Sequence, residues 1–394
     1  MRQGIRDRVA VVGMGCTKFG ERWNADVNDL MVEAAYEAYE DAGIDPKDIQ
    51  AAWFGTTGSG NTGQPVCQAL KFNYIPVTRV ENACATGSDA FRNACYSVAA
   101  GIYDMVLAIG VEKLKDSGFT GLASARPPSA EILPATPPPV QFALAATRYA
   151  HHYGYSIDEL KRALARIAVK NHHNGSLNPK AHLRREITME QALNAPWIAW
   201  PLGLFDCCGV SDGSACAIVT TPEIAKTLKH RDDYILVKGL GVTCGGQQRT
   251  LQDWYDFVHI EETVTASKLA YAEAGIKNPA KEIDHAEVHD CFTITELIIY
   301  EDLEFCPRGK APEYIHAGFF DLEGQIAVNP DGGLKSFGHP IGGSGLRMIY
   351  EVYKQLQGKA GPRQRKSPAL GLTHNLGGQV GSYTCATAVF GRRD

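Results

Sequence analysis

The sequence has no run of about 18 apolar residues, no C-x-x-C pair and no large excess of charge of one sign. The missing apolar run predicts that no helix crosses a membrane. The net charge of −5 gives no reason to expect a nucleic acid as the main partner. The first residues, MRQGIRDRVAVVGMG, lack the apolar core and cleavage site of a signal peptide. We therefore expect the eleven cysteines to be reduced thiols in a cytoplasmic protein.

Spacings that are typical of metal sites are missing as well. Cys207–Cys208 are adjacent, which is a poor geometry for chelating one ion. The pairs His151–His152 and His172–His173 have no partners at zinc-finger spacing. We therefore expect no metal in this chain. Apart from the candidates named below, we expect the cysteines, Cys244 among them, to be buried and inert.

One cysteine lies where its thiol would be reactive. The stretch Val80–Gly87, VENACATG, puts Cys84 on a turn of small residues directly before a helical pattern. A helix N-terminus carries unpaired backbone N–H groups and partial positive charge, so we expect it to lower the pKa of this thiol. The position predicts a nucleophile that attacks carbonyl groups or thioesters.

Three later segments carry the groups that such a nucleophile needs. They combine polar side chains with glycines or small residues: VHDCFT (Val288–Thr293), SFGHPIGGSG (Ser336–Gly345) and LTHNLGGQVG (Leu372–Gly381). A catalytic cysteine requires a base, an oxyanion hole and a group that exchanges protons. His339, His289, Cys291 and the amides near Gly377 would supply them. Cys291, between Asp and Phe, also fits a core residue.

These segments together resemble the thiolases, in particular those similar to sterol-carrier-protein-2 thiolases. The resemblance rests on the Cys84 loop, HDCF (His289–Phe292), GHP (Gly338–Pro340) and HNLGG (His374–Gly378). It extends to KNHHNGSLNP and PLGLFDCCGVSDGSA, and so spans nearly the whole chain. The commoner thiolases carry NEAF in place of HDCF, and a second catalytic cysteine where this chain has Asn375.

The resemblance implies a CoA-dependent acyltransferase that cleaves a 3-oxoacyl-CoA by thiolysis, or runs the reverse Claisen condensation, through an acyl-cysteine intermediate. Cys84 would be the nucleophile and His339 its base. His289 would donate to the enolate oxygen, and Cys291 would exchange the α-carbon proton. The amides of Cys84 and Gly377 would hold the oxyanion. Coenzyme A would enter as substrate or product.

The chain also contains an internal duplication. Val9–Gly15 and Ile235–Gly241 are both apolar runs that end in G-x-G, and each is followed by a helical pattern that stops at Ala-Gly-Ile. This predicts an α/β protein of two similar halves, 1–115 completed by 200–225, and 230–394. The resemblance implies a five-layer αβαβα arrangement. A pseudo-twofold axis would place the helix starts after Cys84 and His339 face to face.

The region 116–200 differs from both halves. It opens with the proline-rich stretch Ala125–Val140, and Ser156-x-x-Glu159 is a capping-box pattern. The resemblance implies a loop domain that covers the CoA and acyl pocket. It is locally basic, which would suit a nucleotide with phosphates, through Arg166, Lys170, Lys180, Arg184 and Arg185. Its aromatic residues fit a bulky or aromatic acyl group and fit core packing equally well.

Alternatives remain open at this stage. A ketosynthase-like condensing enzyme also uses a cysteine before a helix, but the cysteine of HDCF argues against decarboxylation. Some proteins that resemble this one act with a small zinc-ribbon/OB-fold partner, and some lack the nucleophile and catalyse aldol chemistry. Thiolases are generally dimers or tetramers, so we expect a homodimer or tetramer. The sequence leaves the acyl group and the direction of reaction undecided.

Overall fold

The computed structural model describes residues 4–116, 137–246 and 255–393 of the chain. Most of the proline-rich stretch, residues 125–136, lies outside the described residues. The described part forms twelve strands: β1 Ala10–Cys16, β2 Ala51–Gly55, β3 Val77–Val80, β4 Met105–Glu112, β5 Trp197–Ala199, β6 Leu202–Gly203, β7 Gly213–Thr220, β8 Ile235–Cys244, β9 His285–Val288, β10 Ala327–Val328, β11 Leu370–Gln379 and β12 Ser382–Arg392.

Helices alternate with these strands. Within the described ranges they are α1 Val27–Ala42, α2 Gln64–Leu70, α3 Thr86–Ala99, α4 Pro138–Tyr153, α5 Ile157–Ser176, α6 Met189–Leu193, α7 Pro222–Ala225, α8 Glu261–Ala274, α9 Pro279–Glu282, α10 Thr293–Asp302, α11 Ala311–His316, α12 Gly333–Ser336 and α13 Ile341–Leu356. None of these described helices is both long enough and apolar enough to cross a bilayer.

The strand order confirms the predicted duplication. Ten strands form one sheet in the order β10-β9-β11-β12-β8-β1-β7-β4-β2-β3. Counted outward from its centre, the first half runs β1-β7-β4-β2-β3 and the second runs β8-β12-β11-β9-β10, so each strand has a counterpart at the same position. The halves meet where β1 pairs with β8 in antiparallel fashion, at Ala10–Leu236 and Val11–Ile235.

Helices cover the sheet in layers. α1 packs on β1 and β7, and α8 packs on β8 and β12. α3 and α13 pack against each other and against strands of both halves of the sheet. They form the central helical layer between the two halves, which agrees with the expected five-layer αβαβα arrangement. β4, MVLAIGVE, is buried at all eight positions because helices cover both of its faces. The central helices approach closely through glycine: a β-carbon added to Gly345 would lie 2.4 Å from the backbone nitrogen of Ser88.

The predicted helix stops are confirmed. α1 ends at Gly43 with φ of 71°, and α8 ends at Gly275 with φ of 76°. Both values lie in the left-handed region that glycine adopts without steric cost. The predicted capping box is present as well, because Ser156 and Glu159 each accept a hydrogen bond from the other's backbone N–H at the start of α5.

The basic residues of the excursion mostly face carboxylates of the same chain. Lys170 is buried and donates to Glu296 at 2.5 Å, Lys180 donates to Glu37 at 2.6 Å, and Arg166 pairs with Asp321. These three cations are therefore paired within the chain, and the residues that contact the phosphates of CoA stay undecided. The expectation that Cys244 is buried is wrong, since it is exposed.

Candidate active site

Cys84 lies on a tight turn between β3 and α3. The preceding residue, Ala83, has a φ of 47°, which is strained for a residue with a β-carbon. Side chains hold the turn on both sides: Asn82 N donates to Thr86 Oγ1 at 2.8 Å, and Asn82 Nδ2 donates to Asp89 at 2.6 Å. This bracing keeps Cys84, which is half-buried, at the start of a central helix.

Three of the predicted site residues converge although they are far apart in sequence. The sulfur of Cys84 and one ring nitrogen each of His289 and His339 lie within 4.8 Å of one another. The two imidazole rings meet edge to face with their centroids 5.5 Å apart. The residues that the sequence predicted as nucleophile and base are therefore adjacent, and their roles stay a prediction.

The hydrogen bonds of His339 define which of its nitrogens is basic. Its Nδ1 lies 2.8 Å from Ser344 Oγ, and the Ser344 hydroxyl donates its only proton to the carbonyl of Pro340 at 2.9 Å. The hydroxyl oxygen must then accept from Nδ1–H, which leaves Nε2 unprotonated. Nε2 is buried and has no hydrogen-bond partner among the described residues. Burial, the His289 ring and the Arg347 charge lower the pKa of His339 well below its usual range. It is a neutral base.

His289 is held in a similar way by Asn375. Its Nδ1 lies 3.1 Å from Asn375 Oδ1, an oxygen that only accepts, so Nδ1 carries the proton and Nε2 the lone pair. Burial lowers the pKa of His289 to about 3. A neutral ring in this tautomer presents an acceptor at Nε2. The expected donation to an enolate oxygen requires the other tautomer. That tautomer forms when the Asn375 amide inverts, because Nδ2, now buried without a partner, would then donate to Nδ1.

The expected lowering of the Cys84 pKa is wrong. Burial, joined by the charge of Glu112, raises the pKa of the Cys84 thiol to about 12, against a small opposing effect of its own amide. Glu112 is fully buried and accepts from the backbone of Thr57 and from Ser59 Oγ, and burial raises the pKa of Glu112 as well. The resting nucleophile is a thiol, and the helix N-terminus does not outweigh its desolvation.

Cys291 lies beside this trio on the turn between β9 and α10. It is 5% exposed, its sulfur is 3.8 Å from Thr295 Oγ1, and its carbonyl accepts from Cys208 N at 2.9 Å. Burial, with the neighbouring thiols of Cys208 and Cys84, raises the pKa of Cys291 well above its usual range. Cys291 therefore rests as a thiol.

Gly377 packs directly on the turn that carries Cys84. A β-carbon at this position would lie 2.2 Å from Asn82 O and 2.8 Å from Cys84 N. Only glycine lets β11 come this close to the nucleophile. The backbone of Gly377 and the amide of Cys84 are therefore neighbours, as an oxyanion hole that uses both amides requires.

Sequence reasoning missed the groups that support the two histidines predicted to be catalytic. Arg347 on α13 is fully buried between Asp331, at 2.6 Å, and Glu287, and its charge helps to keep both imidazoles neutral. Ser344 stands in the SFGHPIGGSG segment, five residues after His339. A signal for Ser344 existed, since a hydroxyl one helical turn after a catalytic histidine can reach its ring.

Asp290 of the HDCF segment has a structural role. Its carboxylate accepts from the backbone of Leu334 at 2.6 Å and of Lys335 at 3.0 Å, and from Asn171 Nδ2 at 2.9 Å. Burial and the nearby Glu296 raise the pKa of Asp290 to about 7. This aspartate ties α12, which leads into the GHP segment, to the strand end that carries His289.

An aromatic pair from the excursion borders the site. Phe142 on α4 stacks on Phe292 of the HDCF segment with ring centroids 4.5 Å apart.

A surface cavity of about 880 Å³ lies elsewhere, beyond the C-terminal end of α10, and is lined by residues such as Lys268, Phe305 and Arg308. None of the five predicted site residues lines that cavity. The CoA pocket expected within 116–200 falls partly outside the described residues and stays a prediction.

Two protein-family models match the chain. The model described as "Thiolase, N-terminal domain" matches residues 9–223, and the one described as "Thiolase C-terminal domain-like" matches residues 245–392. The gap between the two matches, residues 224–244, contains β8, the first strand of the second half.

Named relatives match along nearly the full length of this chain. The chain is 37% identical to a protein named acetyl-CoA acetyltransferase from Methanothermobacter thermautotrophicus, over 98% of this chain and 100% of that one. It is 34% identical to the benzoylsuccinyl-CoA thiolase subunit BbsB of Thauera aromatica, over 95% and 96% of the two chains. Sterol carrier protein 2 of Gallus gallus is 33% identical over 95% of this chain and 70% of its own.

A solved structure agrees closely in fold. The structure titled "Ltp2-ChsH2(DUF35) aldolase" matches with a TM-score of 0.85 and 26% identity, and the match covers 99% of each chain.

Proposed function

This chain belongs to the thiolase family and is a CoA-dependent acyltransferase, and we propose that its acyl-cysteine intermediate forms on Cys84. One observation carries this proposal. The Cys84 thiol lies beside His339, whose Nε2 is unprotonated, buried and without a partner. A thiol whose pKa is raised to about 12 needs such a base, because little thiolate exists at neutral pH.

In the first step His339 Nε2 takes the proton of Cys84, and the sulfur attacks the keto carbon of a 3-oxoacyl-CoA. The carbonyl π electrons move to oxygen, and the amides of Cys84 and Gly377 hold this oxyanion. Collapse of the tetrahedral adduct breaks the bond between the α- and β-carbons. The acyl group stays on Cys84 and the electron pair leaves as the enolate of the shorter acyl-CoA.

In the second step Cys291 gives its proton to the α-carbon of that enolate. Its raised pKa suits this role, since a strongly acidic thiol would already have lost the proton. His289 polarises the thioester oxygen after the Asn375 amide has inverted and moved the ring proton to Nε2. Free CoA then gives its thiol proton to the Cys291 thiolate and attacks the acyl-cysteine, and the leaving Cys84 sulfur takes back the proton that His339 holds. The same groups acting in reverse order carry out the Claisen condensation.

The substrate we propose is a 3-oxoacyl-CoA with an apolar acyl group. Support comes from the stacked pair of Phe142 and Phe292. Phe292 directly follows Cys291, the proposed proton donor, in the sequence. Relatives at similar identity are named for acetyl-CoA and for benzoylsuccinyl-CoA, so the names alone do not separate a small group from an aromatic one.

We also propose that a small zinc-ribbon/OB-fold protein assists this chain. The similar solved structure is titled as a complex with a DUF35 protein, and BbsB is named as a subunit. The β5–β6 hairpin of the excursion exposes a group of large apolar side chains that a partner would cover: Trp197, Ile198, Trp200 and Leu204, each about half exposed.

Self-association through the sheet edge is the assembly we propose. Among the described residues β3 pairs only with β2, so its outer edge offers unpaired backbone groups to a second copy. The chain runs from β3 directly into the Cys84 turn, so such a dimer would support the nucleophile. Light scattering should give twice the chain mass of 42.8 kDa or a multiple of it. A stable, active monomer would contradict this assembly.

Purified protein should be assayed with a panel of 3-oxoacyl-CoAs and free CoA, with and without a zinc-ribbon protein encoded beside it. Cys84→Ala should abolish thiolysis and acylation. Cys291→Ala should block turnover but still allow acylation of Cys84, and exchange of the α-protons of acetyl-CoA with deuterated solvent should disappear. Substantial turnover in Cys84→Ala would overturn the mechanism, and retained exchange in Cys291→Ala would assign the acid/base role elsewhere.

We place the enzyme in a reducing, cytoplasmic setting, in which its eleven free thiols persist.

A further inference from the structure

The catalytic trio has the composition and spacing of a three-ligand metal site. We propose that Cys84, His289 and His339 bind one Zn²⁺ ion in the resting enzyme and that the ion inhibits it reversibly. This goes beyond the proposed reaction, which uses no metal. The argument rests on ligand type, spacing and the tautomers of the two histidines.

The spacing fits a small tetrahedral ion. The sulfur and the two ring nitrogens lie within 4.8 Å of one another. With Zn–S near 2.3 Å and Zn–N near 2.0–2.1 Å, ligands of a tetrahedral site stand roughly 3.3–3.7 Å apart. The three side chains therefore need to close in by only about 1 Å. Water or a substrate oxygen would fill the fourth position, as in zinc sites with three protein ligands.

Both histidines are already prepared as ligands. Each has its Nδ1 proton committed to an acceptor, Ser344 Oγ for His339 and Asn375 Oδ1 for His289, so each presents the lone pair of Nε2. This is the outer-sphere arrangement that orients imidazoles in metal sites. Nε2 of His339 is buried and has no partner in the described structure, and a bound ion would satisfy it.

The types of ligand atom, one sulfur and two ring nitrogens, determine which metal ions this site would bind. One thiolate and two imidazoles suit Zn²⁺ and its analogue Co²⁺, whereas Mg²⁺ and Ca²⁺ require oxygen ligands that this set does not contain. Within the described residues this is the one group of three or more such side chains at ligand spacing.

Binding of Zn²⁺ would release one proton and would inhibit the acyltransferase reaction. Cys84 loses its thiol proton to solvent as the Zn–S bond forms, so one proton is released for each ion bound. The sulfur lone pair that would attack a substrate and the nitrogen that would accept its proton are then both on the metal. Reversal needs only a chelator, because no covalent bond to carbon has formed.

Cobalt gives a readout that does not depend on activity. Co²⁺ added to the metal-free chain under reducing conditions should bind at one equivalent and produce a thiolate-to-cobalt charge-transfer band. Cys84→Ser should abolish this band, whereas Cys244→Ser, which removes an exposed thiol outside the site, should leave it unchanged. Ser344→Ala removes the acceptor of Nδ1 and should weaken binding roughly 10–100-fold.

Alkylation supplies a second measurement. One equivalent of Zn²⁺ should protect Cys84 from iodoacetamide, as read by peptide mass spectrometry, and EDTA should remove the protection. A charge-transfer band that survives in Cys84→Ser, or alkylation of Cys84 at the same rate with and without Zn²⁺, would overturn the proposal. Failure of thiolysis with every substrate would leave both readouts interpretable, so the metal site and the proposed reaction are tested separately.

Discussion

Ser344 determines which ring nitrogen of His339 keeps its lone pair free. The Ser344 hydroxyl donates to the carbonyl of Pro340 and accepts from His339 Nδ1, so the Nε2 lone pair is left free at the site. Both residues belong to the segment that starts the central helix α13. The helix geometry thus sets the tautomer of the histidine that lies before it.

Ser344→Ala should therefore reduce kcat without loss of fold. Without the acceptor at Nδ1, the ring loses the interaction that keeps the proton away from Nε2. We expect a decrease in kcat of roughly 10–100-fold, the range found for groups that orient a reactive histidine in metal sites. Steady-state kinetics and thermal unfolding should be measured together.

Ser267→Ala is the matched control. Ser267 is also a buried serine in a helix and donates to a carbonyl three residues earlier, and among the described residues no hydrogen bond joins it to a histidine. It should leave kcat unchanged. Equal kinetic losses in both variants would show that helix stability, and not the tautomer of His339, explains the effect.

The raised pKa of Cys84 predicts its alkylation profile. At neutral pH almost all of Cys84 is thiol, and the reactive thiolate increases about tenfold per pH unit until the pKa near 12 is approached. In a Cys244→Ser background, the rate of carboxymethylation at Cys84 should still rise between pH 9 and pH 10, by about tenfold. An ordinary small-molecule thiol levels off in this range, so a plateau at Cys84 by about pH 9 would contradict the raised pKa.

How much of the structure the sequence predicted depends on how local each signal is. Paired apolar runs such as Val9–Gly15 and Ile235–Gly241, with their Ala-Gly-Ile helix stops, correctly predicted two equivalent halves, because strand pattern and helix caps are encoded within a few residues. The convergence of Cys84, His289 and His339 followed from the family resemblance. No periodicity would have brought these three residues together.

The charges that surround Cys84 and the basic residues of the excursion could not be predicted from local sequence in the same way. The helix N-terminus beside Cys84 is a local signal and predicted a lowered pKa, but burial and the charge of Glu112 outweigh it, and both come from residues distant in the chain. The carboxylate partners of three basic residues in the excursion could not be predicted for a similar reason. Lys170 meets Glu296, 126 positions away, inside the core.

His230 links pH to stability away from the site. Its ring contacts Asp41 on α1 and Asp233 on the loop before β8, at 3.3 and 2.6 Å, and these carboxylates raise the pKa of His230 above 6.5. A raised pKa means that the charged ring stabilises the folded state. The contribution is complete below about pH 6.5 and is lost as the pH rises through the folded-state pKa.

The Tm should therefore fall as the pH is raised above about 6.5, and His230→Asn should flatten this part of the profile. His173→Asn serves as the control, because the His173–Glu186 pair is more than half exposed and exposed pairs contribute little. Thermal unfolding from pH 5.5 to 8.5 measures both. An unchanged slope in His230→Asn would assign the pH dependence to other groups.

Gly377→Ala tests whether the position of the Cys84 turn limits the rate. The added β-carbon would lie 2.2 Å from Asn82 O and 2.8 Å from Cys84 N, so the turn must move away from β11. Because both amides of the proposed oxyanion hole belong to this contact, we expect kcat to fall about 10²–10³-fold, the effect of losing one oxyanion donor. Gly209→Ala, where a β-carbon meets nothing within 4 Å, should keep wild-type kcat. If Gly377→Ala folds and retains wild-type acylation of Cys84, the close approach of β11 serves packing alone, and the oxyanion must be held by other groups.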